Sequence, residues 1–295
     1  LYESSKSLSR MESAMLDRYP PKSVIVGIDG SQAAIRAARW AVPEVAGTDI
    51  PLRLIYVTPA CSTEHSGARA ALMASEEVVH GACSAVDEMG ESLKLEAEIF
   101  DGRPVPALIA ASRFATLLCV GDKGAAQHPD DWLGSTAREL ARSAHCSVAI
   151  VRGSGAARSG ARCILARVDE SPDDLDVLDF AVDEALRRQA PLRVLTTAQS
   201  SGRGGHGDRT NRGALDVLLQ RLRNDYPEVE IGIEPLAGSF LGYVCAHAAT
   251  TQLIMISSAR AGEVQQLLGP DGGQALRASD CSLLVVGLER LARQP

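Results

Sequence analysis

The sequence lacks CxxC pairs, is poor in lysine and aromatics, and has no apolar run near the roughly 20 residues a membrane span needs. Each shortage excludes something. Without paired cysteines or a local histidine cluster, the seven cysteines at 61, 83, 119, 146, 163, 245 and 281 are read neither as a disulfide framework nor as a zinc site. Cys119, Cys146, Cys163 and Cys281 sit in apolar runs and are expected to pack as small hydrophobes. A reducing, cytoplasmic compartment fits this usage. Only four lysines occur, and 30 basic residues face 37 acidic ones, for a net charge of −7. That balance disfavours a long nucleic acid as partner, while leaving room for one nucleotide held by backbone amides. Residues 1–18 are polar, with no secretory apolar core. Leu1 is an unusual first residue, and Met11 or Met15 as the natural start is left open. No GxGxxG follows the first apolar run of either half, and there is no GxxxxGK[ST] and no GxSxG. Dinucleotide dehydrogenases, P-loop enzymes and serine hydrolases are thereby disfavoured.

What the sequence does have is an internal repeat. Asp29 lies opposite Asp169, Ala41-Val42 opposite Ala181-Val182, and Pro51-Leu52-Arg53 opposite Pro191-Leu192-Arg193, all at an offset of 140. The offset then falls to 136 for Leu117 and Leu253, and to 135 for Leu133-Gly134 with Leu268-Gly269 and Cys146-Ser147 with Cys281-Ser282. Landmarks in one order imply a tandem duplication, its second copy shortened in two loops. The expected organisation is a tail at 1–20, a first domain at 21–152, a glycine-rich linker at 153–160, a second domain at 161–288 and a tail at 289–295.

Within each half, short β-branched apolar runs alternate with segments of helical spacing. Strands are expected at 23–28, 52–57, 95–100, 116–120 and 147–151, and again at 163–168, 193–197, 230–235, 252–256 and 282–286. A long helix over about 68–90 would place Leu72, Val79, Cys83 and Val86 on one face, and glycine-rich 200–212 reads as a loop. The alternation predicts an α/β fold, an open parallel sheet with helices on both faces in each half. Ligands of such sheets sit beyond the strand carboxyl ends at a topological switch point. Attention therefore falls on Asp29, the end of the 52–57 strand and the loop after Val120.

That loop has the spacing Gly121-x2-Gly124-x9-Gly134-Ser135-Thr136. Gly121 and Gly124 remove side chains where backbone would approach a ligand. Gly134-Ser135-Thr136 opens a helix whose first amides suit phosphate. Thr136 and Glu139 have capping-box spacing, and Lys123 or Arg138 would add charge. A capped helix after a glycine-rich turn explains the loop equally well at this point. Asp29 reads either as a helix cap or as an acceptor for a ribose hydroxyl or adenine amine. His128 is a candidate ligand contact, and Asp130 and Asp131 read as loop solubility or as a water-mediated Mg²⁺ contact. Glu76-Glu77 and Asp173-Asp174 read as solvated helix charges, Trp40 as packing and Trp132 as an isolated aromatic.

Asp29 at a strand end, the duplication and the Gly-x2-Gly-x9-Gly-Ser spacing together resemble the ATP-binding subtype of the universal stress protein family, in its tandem, actinobacterial form. The resemblance covers both halves. It implies two five-stranded, Rossmann-like domains of the adenine nucleotide α-hydrolase type, paired through their last strands. It also implies ATP, with Mg²⁺ open, in a deep crevice. By position, Gly27 and Asp29 would line the adenosine, Val57 would meet adenine through backbone and Val120 would flank it. Gly121, Gly124, Gly134, Ser135 and Thr136 would hold ribose and phosphates. The second half departs from this pattern. Asp169 and Gly269 are kept, but Gly27 becomes Arg167, Gly121 becomes Ser257, Gly124 becomes Arg260, and Ser135 becomes Pro270, which offers neither hydroxyl nor amide. Asp169, Arg260 and Gly269 are weak candidates for a degenerate second site.

No nucleophile–base pair or metal cluster stands out, so no catalytic residue is assigned. The leading expectation is a nucleotide-dependent regulatory module, with adenine nucleotide as ligand and an unidentified regulatory protein as partner. No nucleic-acid or membrane partner is expected, and a homodimer is left open. The alternatives are a slow ATPase or phosphoryl-transfer enzyme and a nucleotide-free scaffold. A flavin-binding or phospho-accepting α/β domain is weaker still.

Overall fold

A computed structural model describes residues 23–58, 65–125, 132–153, 162–169, 171–197 and 209–287. The chain forms two compact units that divide between Arg152 and Gly153. In the first, the strands are β1 (Val24–Ile28), β2 (Leu52–Thr58), β3 (Leu95–Asp101), β4 (Leu117–Gly121) and β5 (Ser147–Val151). They lie in the order β3-β2-β1-β4-β5 with parallel pairings throughout. The helices are α1 (Gln32–Val45), α2 (His65–Asp87), α3 (Pro104–Ser112) and α4 (Ser135–Ser143).

Residue size decides how these layers meet. Helix α1 buries Ala33, Ala34, Ala37, Ala38, Ala41, Val42 and Val45, a stripe of small side chains that lets it sit close to the sheet. At its start the approach is closest: a Cβ on Gly121 would stand 2.6 Å from the Ala33 carbonyl carbon. The central strands are apolar on both faces, as a sheet covered on both sides requires. Each fully buried Val, Leu or Ile contributes about 1.5–3 kcal/mol. The acidic alternation of β3 has a different origin. Arg53 on β2 is 1% exposed, and its guanidinium pairs with Glu96 at 3.3 Å and Glu98 at 3.5 Å.

The second unit repeats the order with β6 (Cys163–Arg167), β7 (Leu192–Thr197), β8 (Ile231–Leu236), β9 (Thr251–Ser257) and β10 (Ser282–Val286). Its strand order is β8-β7-β6-β9-β10, again parallel. Its helices are α5 (Pro172–Arg188), α6 (Arg209–Asp225), α7 (Phe240–His247), α8 (Ala261–Leu268) and α9 (Pro270–Ala278). Among the described residues, no helix is long and apolar enough to cross a membrane. Cys119, Cys146, Cys163 and Cys281 are buried and unbridged, as small hydrophobes.

Two expectations are corrected. Val86 is buried as expected, but Leu72 is 52% exposed, and Ser75, Ala82 and Ala85 turn inward on α2 beside Val86; the large apolar side chain at 72 misplaces part of the buried face. Arg209–Asp225 is helical, so the 209–212 end of the expected 200–212 loop belongs to α6, and its 200–208 portion lies outside the described residues. The eight residues before Gly269 form helix α8.

Candidate functional site

The sheet order reverses between β1 and β4, and a cavity of about 880 Å³ opens there in the first unit. Its wall takes Gly27, Ile28 and Asp29 from the end of β1, and Ile55, Tyr56 and Val57 from β2. Pro104 and Leu108 come from α3, Val120 and Gly121 from β4, and Gly124 and Ala125 from the following loop. Trp132 through Arg138 complete it. All nine first-unit candidates named from the sequence, Gly27, Asp29, Val57, Val120, Gly121, Gly124, Gly134, Ser135 and Thr136, line this cavity. One end is apolar; the other is built of glycines and a helix start. His128, Asp130 and Asp131 lie outside the described residues.

Asp29 is not the cap of α1. Ser31 is, its hydroxyl accepting from the Ala34 amide at 3.1 Å. The Asp29 carboxylate instead accepts from the Ser31 amide at 3.0 Å through Oδ1 and from the Ala125 amide at 2.8 Å through Oδ2. It thereby ties the glycine loop to the end of β1. A carboxylate has about four acceptor positions, so Asp29 keeps capacity for a further donor. It is the sole carboxylate lining the cavity among the described residues.

The two loop glycines serve different purposes. Gly124 is kept bare by Asp29, since a Cβ there would stand 2.9 Å from Oδ2. Gly121 is required by α1 packing, not by room for a ligand. The capping box also fails. Helix α4 begins at Ser135 with Gly134 as its cap residue and no side-chain cap bond, and Glu139 accepts from the Ser143 hydroxyl at 2.9 Å. Thr136 is thus inside the first turn. Three uncapped first-turn residues, Ser135, Thr136 and Ala137, line the cavity, and such amides carry partial positive charge.

Sequence reasoning missed two features of the wall. Trp132, set aside as isolated, lies in it with the Arg138 guanidinium 5.8 Å from its ring centroid. Its place two residues before Gly134 was the available signal. The apolar end, with Leu108 and Pro104, gave no signal because α3 has the same composition as any packed helix.

At the corresponding place in the second unit the side chains pair with one another. Arg167, 2% exposed, makes a bidentate pair with Asp169 at 2.7 and 2.8 Å. Arg260 also donates to Asp169 Oδ2 at 2.8 Å and to Asp174 through Nε at 2.9 Å, with a further bond to Asp174 Oδ2. Thr197 adds its amide and hydroxyl at 2.8 and 2.7 Å, and Glu263 closes the group 3.4 Å from Arg167 Nε. Burial would push the Asp169 carboxyl up, but the Arg167 and Thr197 hydrogen bonds and the Arg167 charge hold it well below the ordinary carboxylate range. Asp174, read as solvated, is 1% exposed and accepts from the Asp169 amide at 3.0 Å. Gly269 caps α9, whose first residue is Pro270.

Comparison with known proteins decides the family. The sequence profile of the universal stress protein family matches residues 21–152. The universal stress protein Rv2028c of Mycobacterium tuberculosis is 38% identical over 94% of this chain and 100% of its own length. The chain belongs to the universal stress protein family. A second Mycobacterium tuberculosis universal stress protein, Rv2624c, is 35% identical over 90% of this chain and 96% of its own length. A universal stress protein structure from Archaeoglobus fulgidus superposes with a TM-score of 0.66 at 17% identity, covering 90% of this universal stress protein and 96% of the other chain. That likeness establishes the tandem α/β fold.

Proposed function

We propose that this universal stress protein is a nucleotide-dependent regulatory module with one ATP site per chain, in the first unit at 21–152. The observation that carries the reading is the single cavity uniting Asp29, the Gly121–Gly124 loop and the uncapped start of α4. Its volume lies within the range of small-molecule sites. The residues present fit ATP. Asp29 has acceptor capacity for a ribose hydroxyl or an adenine amine, Val57 and Val120 offer an apolar slot for the base, and Gly134, Ser135 and Thr136 offer amides and hydroxyls to phosphate. Magnesium would enter on the phosphates.

ATP, when bound, would supply a polyanion with a hydrolysable terminal phosphoanhydride. This chain's residues bind and orient it. Asp29 already accepts two backbone amides, which suits an orienting acceptor better than a mobile base, so turnover is slow. The second unit is a nucleotide-free domain, because its Asp169 is occupied on both oxygens by Arg167, Arg260 and Thr197.

Titration of the purified full chain with ATP by calorimetry, with ADP release followed in parallel, tests this. One site per chain that Asp29→Ala abolishes, with negligible hydrolysis, is the expected result. Two equal sites, or no adenine-nucleotide binding, overturns it.

A further inference from the structure

The phosphate end of the cavity holds two donor groups that the proposed ATP site leaves unused. Trp132 Nε1 and Arg138 Nε are each buried, and neither has a hydrogen-bond partner. Both belong to cavity-lining side chains stacked on one another at 5.8 Å. A buried donor without an acceptor costs about 1–3 kcal/mol, and orphans of this kind call for an explanation.

Their chemistry narrows what would satisfy them. Indole and guanidinium groups donate only; neither can accept. Arg138 is the fourth residue of α4, and long helical side chains lean toward the helix N-terminus. Its guanidinium therefore stands beside the uncapped first turn. Among the described residues Arg138 has no ion-pair carboxylate, whereas Arg36 faces Asp122 and Arg260 is held by Asp169 and Asp174. Trp132 supports Arg138 through its ring face, which steadies the cation without consuming its N–H donors. Three donor sets with no acceptor among them belong to residues that line this cavity: the α4 amides, the indole and the guanidinium fork.

The second unit supplies an internal control. At the 135-residue offset, Trp132 becomes Leu267, fully buried, and Arg138 becomes Gly273. Both donors are lost where Ser135 has become Pro270 and where Arg167 and Arg260 pair with Asp169.

We infer that Arg138, held by Trp132, is the specificity element for the β- and γ-phosphates, making the first-unit site selective for nucleoside tri- and diphosphates over monophosphates. The inference rests on the adenine-nucleotide reading of the cavity. Binding energy for base and ribose comes from the apolar end and Asp29, and binding energy for the outer phosphates comes from this pair.

The test measures ATP, ADP and AMP affinities of the full-length chain by calorimetry for wild type, Arg138→Gln, Arg138→Lys, Trp132→Phe and Trp132→Ala, with thermal unfolding as a folding control. A hydrogen bond to a charged group is worth about 1.5–3 kcal/mol, so Arg138→Gln should weaken ATP binding about tenfold or more and leave AMP within about twofold. Arg138→Lys keeps the charge but not the fork and should fall between. Trp132→Phe keeps the ring and should lose severalfold, and Trp132→Ala should approach Arg138→Gln. Equal weakening of ATP and AMP, or an unchanged ATP/AMP ratio in Arg138→Gln, overturns this inference alone. A wild type that binds no adenine nucleotide overturns it together with the reading beneath it.

Discussion

Removing the same carboxylate from the two units should have opposite consequences. In the second unit, Asp169→Ala takes both partners from the bidentate Arg167 guanidinium, which is 2% exposed. Breaking a buried ion pair from one side costs about 3–5 kcal/mol, because the remaining charge is left uncompensated. Glu263, 3.4 Å from Arg167 Nε, offsets part of this, which places the expectation near the lower end. In the first unit, Asp29→Ala frees only two backbone amides, at loop positions water can reach, and about 1–2 kcal/mol is lost. Hydrogen exchange read by mass spectrometry separates the units. Peptides from β6 and β9 of Asp169→Ala should exchange over about a hundredfold faster than wild type, by the usual relation of free energy to population. ATP binding should persist. Asp29→Ala should show the smaller loss of protection, about five- to thirtyfold in first-unit peptides, and no ATP binding. Adding Arg167→Met to Asp169→Ala should recover much of the lost stability, since a pair replaced by apolar groups is often neutral. If Asp169→Ala costs no more than Asp29→Ala, the clamp does not hold the second unit together and the argument fails.

Two further outcomes follow from the same contacts. Gly121→Ala should destabilise the first unit by about 1–3 kcal/mol in urea unfolding, because its Cβ meets Ala33 backbone at 2.6 Å; Gly124→Ala meets the movable end of Asp29 and should weaken ATP with little loss of stability. The folded-state Asp169 carboxyl is held below its unfolded value, so its stabilisation is present at neutral pH and is lost as pH falls below about 4. Second-unit exchange should therefore accelerate in acid in wild type. It should do so less in Asp169→Ala, where the raised carboxyls of Asp176 and Asp179, pushed up by burial and by neighbouring acidic charges, gain from protonation.

The strands and the cavity wall were legible because both follow from local pattern plus one topological rule. A buried run ends at Asp29, another at Val120-Gly121, and parallel order brings those ends together. What was not legible depends on tertiary distance. Nothing in the string Val120-Gly121-Asp122 tells that Ala33 lies against it. Asp174 has the sequence setting of a solvated helix charge, and only the arrival of Arg260, 86 residues later in the chain, buries it. The capping box at Thr136 and Glu139 has the right spacing but the wrong register, since α4 starts two residues earlier than that box requires.

The divergence of the two units lies in where their donors find acceptors, not in their fold. In the first unit Asp29 has acceptor capacity to spare, and Trp132 and Arg138 carry unmet donors, so an adenine nucleotide would complete both sets. In the second unit the sets complete each other. Arginine at position 167 is tolerated because Asp169 already stood two residues away to receive it. Room matters as well. A Cβ on Gly27 would stand 3.0 Å from Leu108, and the residue at the matching place in the second unit is the shorter Val244. The start of α9 carries Pro270 where α4 carries Ser135, and proline has no penalty at a first helical position. The proposed absence of a nucleotide from the second unit accounts for the arginine clamp and the missing phosphate cradle together.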